Sequence, residues 1–81
     1  MINKYFYQKT MYYAMHNLKP KELATAKALL EHDYYLSTAQ VAIHANVSWN
    51  TAKKYLEKMY QLHWIAKLER GNRDYWRAYR K

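Results

Sequence analysis

The chain has 81 residues, enough for one small domain, and its single glycine and single proline argue against a disordered or linker-rich sequence. It has no cysteine, which excludes disulfides and thiolate metal sites, and its four histidines lack the spacing of metal ligands. The formal net charge is +8, and six of the eight excess charges lie from residue 48 onward, so a polyanion such as nucleic acid is the expected partner.

The composition also excludes several classes of protein. No apolar run approaches the roughly 20 residues that span a bilayer, and the first residues lack the apolar block of a signal peptide, so we expect a cytoplasmic protein with no membrane partner. The acidic residues are dispersed, and there is no glycine-rich phosphate loop and no nucleophile beside a histidine and an acid. We therefore expect neither an enzyme nor a cofactor, and no small-molecule ligand is implied.

Residues 1–17 form an aromatic segment without glycine or proline. Part of it follows a helical stripe and part alternates as a strand does, and we favour a helix. Because the remaining residues can form a compact unit by themselves, this segment must pack against that unit or against a second copy of it. Intramolecular packing and a homodimer contact are equally supported. The residues that would form the dimer contact are Tyr5, Phe6, Tyr12 and Tyr13.

A supporting helix is predicted from Asn17 or Lys19 to about His32, with Pro20 in the first turn, where its missing N–H costs nothing. Apolar residues at helical spacing predict its buried face. That face would carry Leu23, Ala26, Leu29 and Leu30, and the solvated face would carry Lys21, Glu22, Lys27 and Glu31. After this helix, Tyr34-Tyr35-Leu36 predicts a short edge strand.

Two helices joined by a tight turn are predicted next. Ser37 or Thr38 caps the first helix, and Ser48 caps the second, which runs to about His63. Asn46 occupies the position in the turn where a left-handed backbone is needed, a conformation open to glycine and less often to asparagine. The side chains predicted to fill the space between the helices are Val41, Val47, Ala52, Tyr55 and Leu56.

A β-hairpin is predicted after the second of these helices. Residues 64–70 and 75–80 are aromatic-rich, strand-like runs, and the four residues between them include the only glycine. A two-stranded hairpin is marginally stable alone, so it should pack on the helices through Ile65 and some of Leu68, Trp76 and Ala78. Its tip would project Arg73, with Arg70 and Arg77 on the flanking strands.

The order helix, short strand, helix, turn, helix and basic hairpin resembles the winged helix-turn-helix family of DNA-binding regulators over about residues 18–81. The stretch LSTAQVAIHANVSWNTAKKYLEKMYQLHWIAKLERGNRDYW is similar to the family's usual run, including a Ser-x-x-Thr opening at Ser48 and a basic pair after it. Asn46 and His63 depart from two glycines that are common in the family. The resemblance implies a mainly α fold with a small β-hairpin, in which the N-terminal segment of residues 1–17 precedes a three-helix core and wing.

The resemblance further implies a transcription regulator that binds double-stranded DNA with specificity for sequence. The recognition helix, about residues 48–63, would lie in the major groove, and the wing, about residues 64–80, on the backbone or in the minor groove. The implied DNA-binding residues are Ser48, Trp49, Asn50, Thr51, Lys53 and Lys54 on the helix, and Arg70, Arg73 and Arg77 on the wing. Their chemistry suits this role, since Asn50 can pair with adenine and Lys53 and Lys54 can reach guanine edges or phosphates.

Trp49 and the function class have alternative interpretations, and two further positions are predicted to have no role. Trp49 either contacts a thymine methyl or a sugar or packs on the wing. Glu57 and Lys58 are predicted to lie on a solvated face without a role. The alternative function is a winged-helix module for protein association without specific DNA binding, although such modules often lack a basic recognition helix and wing.

Overall fold

Three helices and a three-stranded antiparallel sheet make up residues 18–79, the part of the chain that the computed structural model describes. In chain order the elements are α1 (Pro20–Leu30), β1 (Leu36–Ser37), α2 (Thr38–Ala45), α3 (Trp49–Gln61), β2 (Ile65–Arg70) and β3 (Arg73–Ala78). The predictions for residues 1–17, including the dimer contact, lie outside the described residues.

Helix α1 runs from Pro20 to Leu30, so it starts after both predicted positions, Asn17 and Lys19, and ends before His32. It packs on both other helices. The prediction that Glu22 lies on the solvated face is wrong, because its side chain is buried and accepts a hydrogen bond from Lys58 Nζ at 2.9 Å. Glu22 precedes Ala26 and Leu29 at helical spacing, so it shares their face toward α3. Lys58 is exposed, yet it pairs with this carboxylate and therefore has a structural role that the sequence did not reveal.

The sheet has the order β1-β3-β2, so β3 is its central strand. Leu36 pairs with Trp76 and Ser37 with Tyr75, which makes β1 a short edge strand that begins later than Tyr34. Only one of the three predicted strand residues, Leu36, therefore belongs to a strand. The pairing holds β3 against the start of α2 as well as against β2.

The β2–β3 hairpin turns through two residues, Gly71 and Asn72. The predicted connection of four residues is therefore too long, and both Arg73 and Asp74 belong to β3. Gly71 has a φ of 63°, which a two-residue hairpin turn requires and which a residue without a Cβ adopts at low cost. Arg70 and Arg73 pair directly across the strands beside this turn.

Trp76 lies at the centre of the core and is fully buried. The helices contribute Leu29, Val41 and Leu56 to the same core, and β2 contributes Ile65. Of the four hairpin residues predicted to pack on the helices, Ile65, Trp76 and Ala78 are buried, whereas Leu68 is half-buried. Lys67, not Leu68, pairs with Trp76 in the register of the hairpin. Because side chains alternate between the two faces of a strand, Leu68 lies on the opposite face of β2 from Ile65.

Local hydrogen bonds explain where α2 and α3 begin. The Ser37 hydroxyl accepts from the Gln40 N–H, and the Gln40 side chain accepts from the Ser37 N–H at 2.9 Å, which closes a capping box. The Ser48 hydroxyl accepts from the Thr51 N–H at 3.1 Å and so caps α3, as predicted. Ser37, and not Thr38, is therefore the cap of α2.

Two non-glycine residues with positive φ end these helices. Asn46 has a φ of 57° after α2, as predicted, and the adjacent Val47 N–H donates to the Ala42 carbonyl at 3.0 Å. His63 has a φ of 64° and follows α3, which ends at Gln61 and not at His63. Asparagine and histidine therefore occupy the backbone conformation that glycine adopts most readily.

Candidate nucleic-acid interface

The N-terminus of α3 and the tip of the β2–β3 hairpin form one surface, with the start of α2 between them. These three segments line an open cleft of about 410 Å³. The lining residues are Ser37, Thr38 and Ala39 from α2 and its cap, Trp49 and Lys53 from α3, and Asn72, Arg73 and Asp74 from the hairpin. Of the residues predicted to bind DNA, the cleft thus brings together Trp49 and Lys53 from the helix and Arg73 from the hairpin.

The first turn of α3 presents polar and aromatic side chains to solvent. Ser48 is exposed and donates its hydroxyl hydrogen to Thr51 Oγ1 at 2.8 Å in addition to capping the helix. Asn50 is exposed, and among residues 18–79 no side-chain hydrogen bond engages its amide. Trp49 is 51% exposed although it contributes to the cleft wall beside the hairpin. Its side chain therefore lies in the same cleft as the hairpin tip and is accessible from outside.

The two lysines of the basic pair have different surroundings. Lys53 Nζ donates a hydrogen bond to the Asp74 carboxylate and lies 3.3 Å from Glu57 Oε2. The bond to Asp74 raises the pKa of Lys53 and lowers the pKa of Asp74, so both groups are charged at neutral pH. Lys54 is exposed and lies over the Tyr55 ring, and no carboxylate of the described chain pairs with it. Lys54 is thus more accessible to an external anion than Lys53.

Lys53 belongs to a group of four alternating charges, Lys53, Glu57, Lys67 and Asp74, which we call the Trp76 charge cluster. Lys67 Nζ lies 3.5 Å from Glu57 and 4.0 Å from Asp74. The Nζ atoms of Lys53 and Lys67 are each 5.3 Å from the Trp76 ring centroid. The prediction that Glu57 has no role is therefore wrong, since Glu57 bridges both lysines of this cluster.

The three predicted hairpin arginines do not lie together. Arg70 and Arg73 face each other across the strands at the hairpin tip, and both are exposed. Within the described chain neither forms an ion pair, so their like charges are not offset there. Arg77 lies toward the other end of β3, where its guanidinium donates to Asp33 Oδ1 at 3.1 Å and sits 5.9 Å from the Tyr35 ring. Arg77 is therefore outside the cleft.

The described residues provide neither a metal site nor a membrane-spanning helix. No three histidine or acidic side chains between residues 18 and 79 come close enough together to hold a metal ion. No helix in this part of the chain has the length and apolar character needed to cross a membrane. Comparison of the chain with protein-family models, with curated proteins and with solved structures gives no significant match.

Proposed function

We propose that this protein is a winged helix-turn-helix transcription regulator that binds double-stranded DNA in the cytoplasm as a homodimer. In this assignment α2 and α3 form the helix-turn-helix, α3 is the recognition helix in the major groove, and the β2–β3 hairpin is the wing. The observation that carries the proposal is the single surface on which the exposed first turn of α3 adjoins the basic tip of the hairpin.

The recognition helix offers the groups needed to distinguish bases. Asn50 is exposed in the first turn, and its amide can donate to and accept from adenine in the major groove. Ser48 and Thr51 lie at the helix N-terminus, where hydroxyls and the helix dipole favour contact with phosphate. Lys54 is exposed on the same helix and can contact a phosphate or a guanine edge.

The wing offers a site for the DNA backbone or the minor groove. Like charges directly opposite each other in a sheet destabilise it, and Arg70 and Arg73 form such a pair. A phosphodiester placed between the two guanidinium groups would remove this repulsion and would gain charge-assisted hydrogen bonds. The exposed arginines also suit the negative potential of a narrow minor groove.

The ion pairs of the structure predict how strongly binding should depend on salt. Four basic residues between residues 48 and 79 pair with carboxylates: Lys53, Lys58, Lys67 and Arg77. The basic residues of this range that have no ion pair among the described residues are Lys54, Arg70 and Arg73. Three phosphate contacts correspond to a slope of log affinity against log salt of about −3 per protomer, whereas six contacts correspond to about −5.

A fluorescence titration of labelled random duplex at several salt concentrations tests the proposal. We expect affinity to fall as salt rises, with a slope nearer to −3 than to −5 per protomer for about three phosphate contacts. Replacing Lys54 or Arg73 with glutamine should each make the slope shallower by about 0.9. An affinity for duplex that stays constant as salt rises would refute the proposed DNA binding and would favour the protein-association alternative.

The homodimer is proposed from the aromatic segment of residues 1–17 and the symmetry that most operators share with their regulators. The contact between protomers would be formed by four aromatic residues of this segment, Tyr5, Phe6, Tyr12 and Tyr13. Deleting residues 1–16 should convert a dimer to a monomer in sedimentation velocity experiments. An unchanged mass after the deletion would assign this segment to another role.

A further inference from the structure

An acidic side chain lies inside the basic surface that is proposed to bind DNA. Asp74 is the second residue of β3, and it lines the cleft between the hairpin and α3. Its carboxylate accepts a hydrogen bond from Lys53 Nζ and lies 4.0 Å from Lys67 Nζ. A carboxylate at this place repels the phosphates of an approaching duplex and occupies the ammonium group of a recognition-helix lysine.

We propose that Asp74 sets the sequence discrimination of the DNA-binding surface by holding Lys53 in an intramolecular ion pair, so that random DNA cannot use the charge of Lys53. The inference rests on the proposed function and adds a specificity-determining residue to it. A phosphate that binds Lys53 must compete with the carboxylates of Asp74 and Glu57 for its ammonium group, and that exchange removes much of the gain from the new contact. The affinity for random duplex is therefore lower than the number of basic residues predicts.

The surroundings of the pair make this exchange costly. The side chains of Lys53 and Asp74 are 28% and 22% exposed, and the Trp76 ring covers one side of the ammonium group. Charges that are partly removed from water interact more strongly and are less screened by salt than charges on an open surface. Asp74 is also held ionised, because the hydrogen bond from Lys53 lowers its pKa.

Asp74 differs in this respect from the other acidic residues near the surface. Glu57 pairs with Lys53 from the same helix and with Lys67 of β2, but it does not line the cleft as Asp74 does. Glu69 has a side chain that is 74% exposed, and its Oε2 lies 3.7 Å from Lys67 Nζ. Glu69 forms no ion pair with Lys53 in the described chain. Glu69 and Asp74 pair directly across the hairpin, so replacing Glu69 provides a control with the same charge change at a neighbouring site.

The test uses the full chain and compares Asp74→Asn with Glu69→Gln. Affinity for labelled random duplex is measured at several salt concentrations, and affinity for duplexes that the wild-type protein selects from a random pool is measured beside it. Asp74→Asn leaves Lys53 only its pair with Glu57 on the same helix, a weak i,i+4 pair that a phosphate can displace. We therefore expect random duplex to bind about fivefold more tightly at 0.15 M salt, with a slope steeper by about 0.9. The affinity for selected duplexes should increase less, so the ratio of the affinity for selected duplex to the affinity for random duplex should fall.

A double variant separates this effect from a general change in charge. With Lys53→Gln already present, Asp74→Asn should change the slope no more than Glu69→Gln does. The lysine that is hydrogen-bonded to Asp74 is then absent, and Lys67 keeps its closer pair with Glu57. A second comparison does not depend on Asp74→Asn folding: Lys53→Gln should make the slope shallower by less than Lys54→Gln does, since Lys54 is the lysine that contacts random DNA.

The possible outcomes distinguish this inference from the proposed function. If the wild-type protein binds random duplex and Asp74→Asn leaves the slope equal to that of Glu69→Gln, the role of Asp74 is refuted while DNA binding stands. Equal slopes for Lys53→Gln and Lys54→Gln would refute it independently. If neither the wild-type protein nor Asp74→Asn binds random duplex at low salt, the proposed function fails and this inference fails with it.

Discussion

Trp76 donates a hydrogen bond from its indole Nε1–H to Thr38 Oγ1 at 2.8 Å, in the interior of the domain. Trp76 is fully buried and Thr38 is 4% exposed, so water has little access to either partner. The bond joins the central strand β3 to the first residue of α2. Together with the pairing of β1 and β3, it places the hairpin beside the two helices that form the proposed helix-turn-helix.

We expect Thr38→Val to lower the free energy of unfolding by about 1–3 kcal/mol, because the substitution keeps the volume and leaves a buried indole N–H without its acceptor. Urea denaturation followed by circular dichroism measures this loss. Thr25→Val is the matched control, since Thr25 is also buried but its hydroxyl donates to the Lys21 carbonyl within α1. A similar loss of unfolding free energy in both variants would show that the indole hydrogen bond contributes no more to stability than the hydroxyl bond within α1.

Asn46 should tolerate glycine and reject alanine. Its φ of 57° places a Cβ in the left-handed region, which costs about 1–2 kcal/mol for most residues and less for asparagine. We therefore expect Asn46→Ala to lower the free energy of unfolding by about 1 kcal/mol and Asn46→Gly to leave it equal or higher. Thermal unfolding compares the two variants, and equal loss in both would point to the asparagine side chain itself.

Asn50 and Arg73 should affect DNA binding in different ways. Asn50→Ala removes a group that can read adenine, so discrimination between selected and random duplex should fall by about 1–3 kcal/mol. Arg73→Ala removes a backbone or minor-groove contact, so both duplexes should bind less tightly by similar factors. Competition titrations with the two duplexes measure both effects. Equal changes for the two variants on both duplexes would contradict these separate roles.

Arg70→Gln should stabilise the fold and weaken DNA binding together. It removes one member of the like-charge pair with Arg73, which should raise the free energy of unfolding by about 0.2–1 kcal/mol at low salt. The gain should vanish in 1 M salt, where screening is effective beyond about 3 Å. Chemical denaturation at both salt concentrations checks this, and a gain that persists in 1 M salt would rule out charge repulsion as its cause.

Glu22 should make the fold more stable above its ordinary pKa than below it. The hydrogen bond from Lys58 holds the pKa of Glu22 below its usual value of 4.5, against the opposing effect of burial. A lowered folded-state pKa stabilises the fold above about pH 4.5, and this contribution is lost as the pH falls through the folded-state value.

Glu22→Gln should therefore lower stability at pH 7 by about 0.5–1 kcal/mol, a small value because Lys58 is exposed, and should make the decline below pH 5 shallower. Denaturant titrations between pH 7 and pH 3 measure both effects. Part of the decline should remain, since Lys53 also lowers the pKa of Asp74. Glu31→Gln, at an exposed position that follows α1, is the control, and an equal effect there would contradict the assignment.

Features that depend on neighbouring residues were predictable from the sequence, and features that depend on packing were not. The caps at Ser37 and Ser48 and the left-handed turn at Asn46 are local, and the structure confirms them. The burial of Glu22 requires the position of α3, which helical spacing within α1 does not provide.

The pairing of Lys53 with Asp74 was missed for a related reason. These residues are 21 positions apart and meet only in the register of a hairpin that turns through two residues. The four-residue turn predicted from the sequence left Asp74 in a loop, where it had no defined neighbour. The sequence signal that could have indicated the cluster was the i,i+4 spacing of Lys53 and Glu57 on α3.

The hairpin has a buried base and an exposed tip. Trp76 and Ala78 near the end of β3 belong to the core, whereas Arg73 at its start is exposed. The separation between that tip and the first turn of α3 is consequently determined by folding before any duplex arrives. In the proposed complex the DNA, and not the protein, must adjust its groove width, and the energy of that adjustment differs between base sequences even at base pairs that no side chain touches.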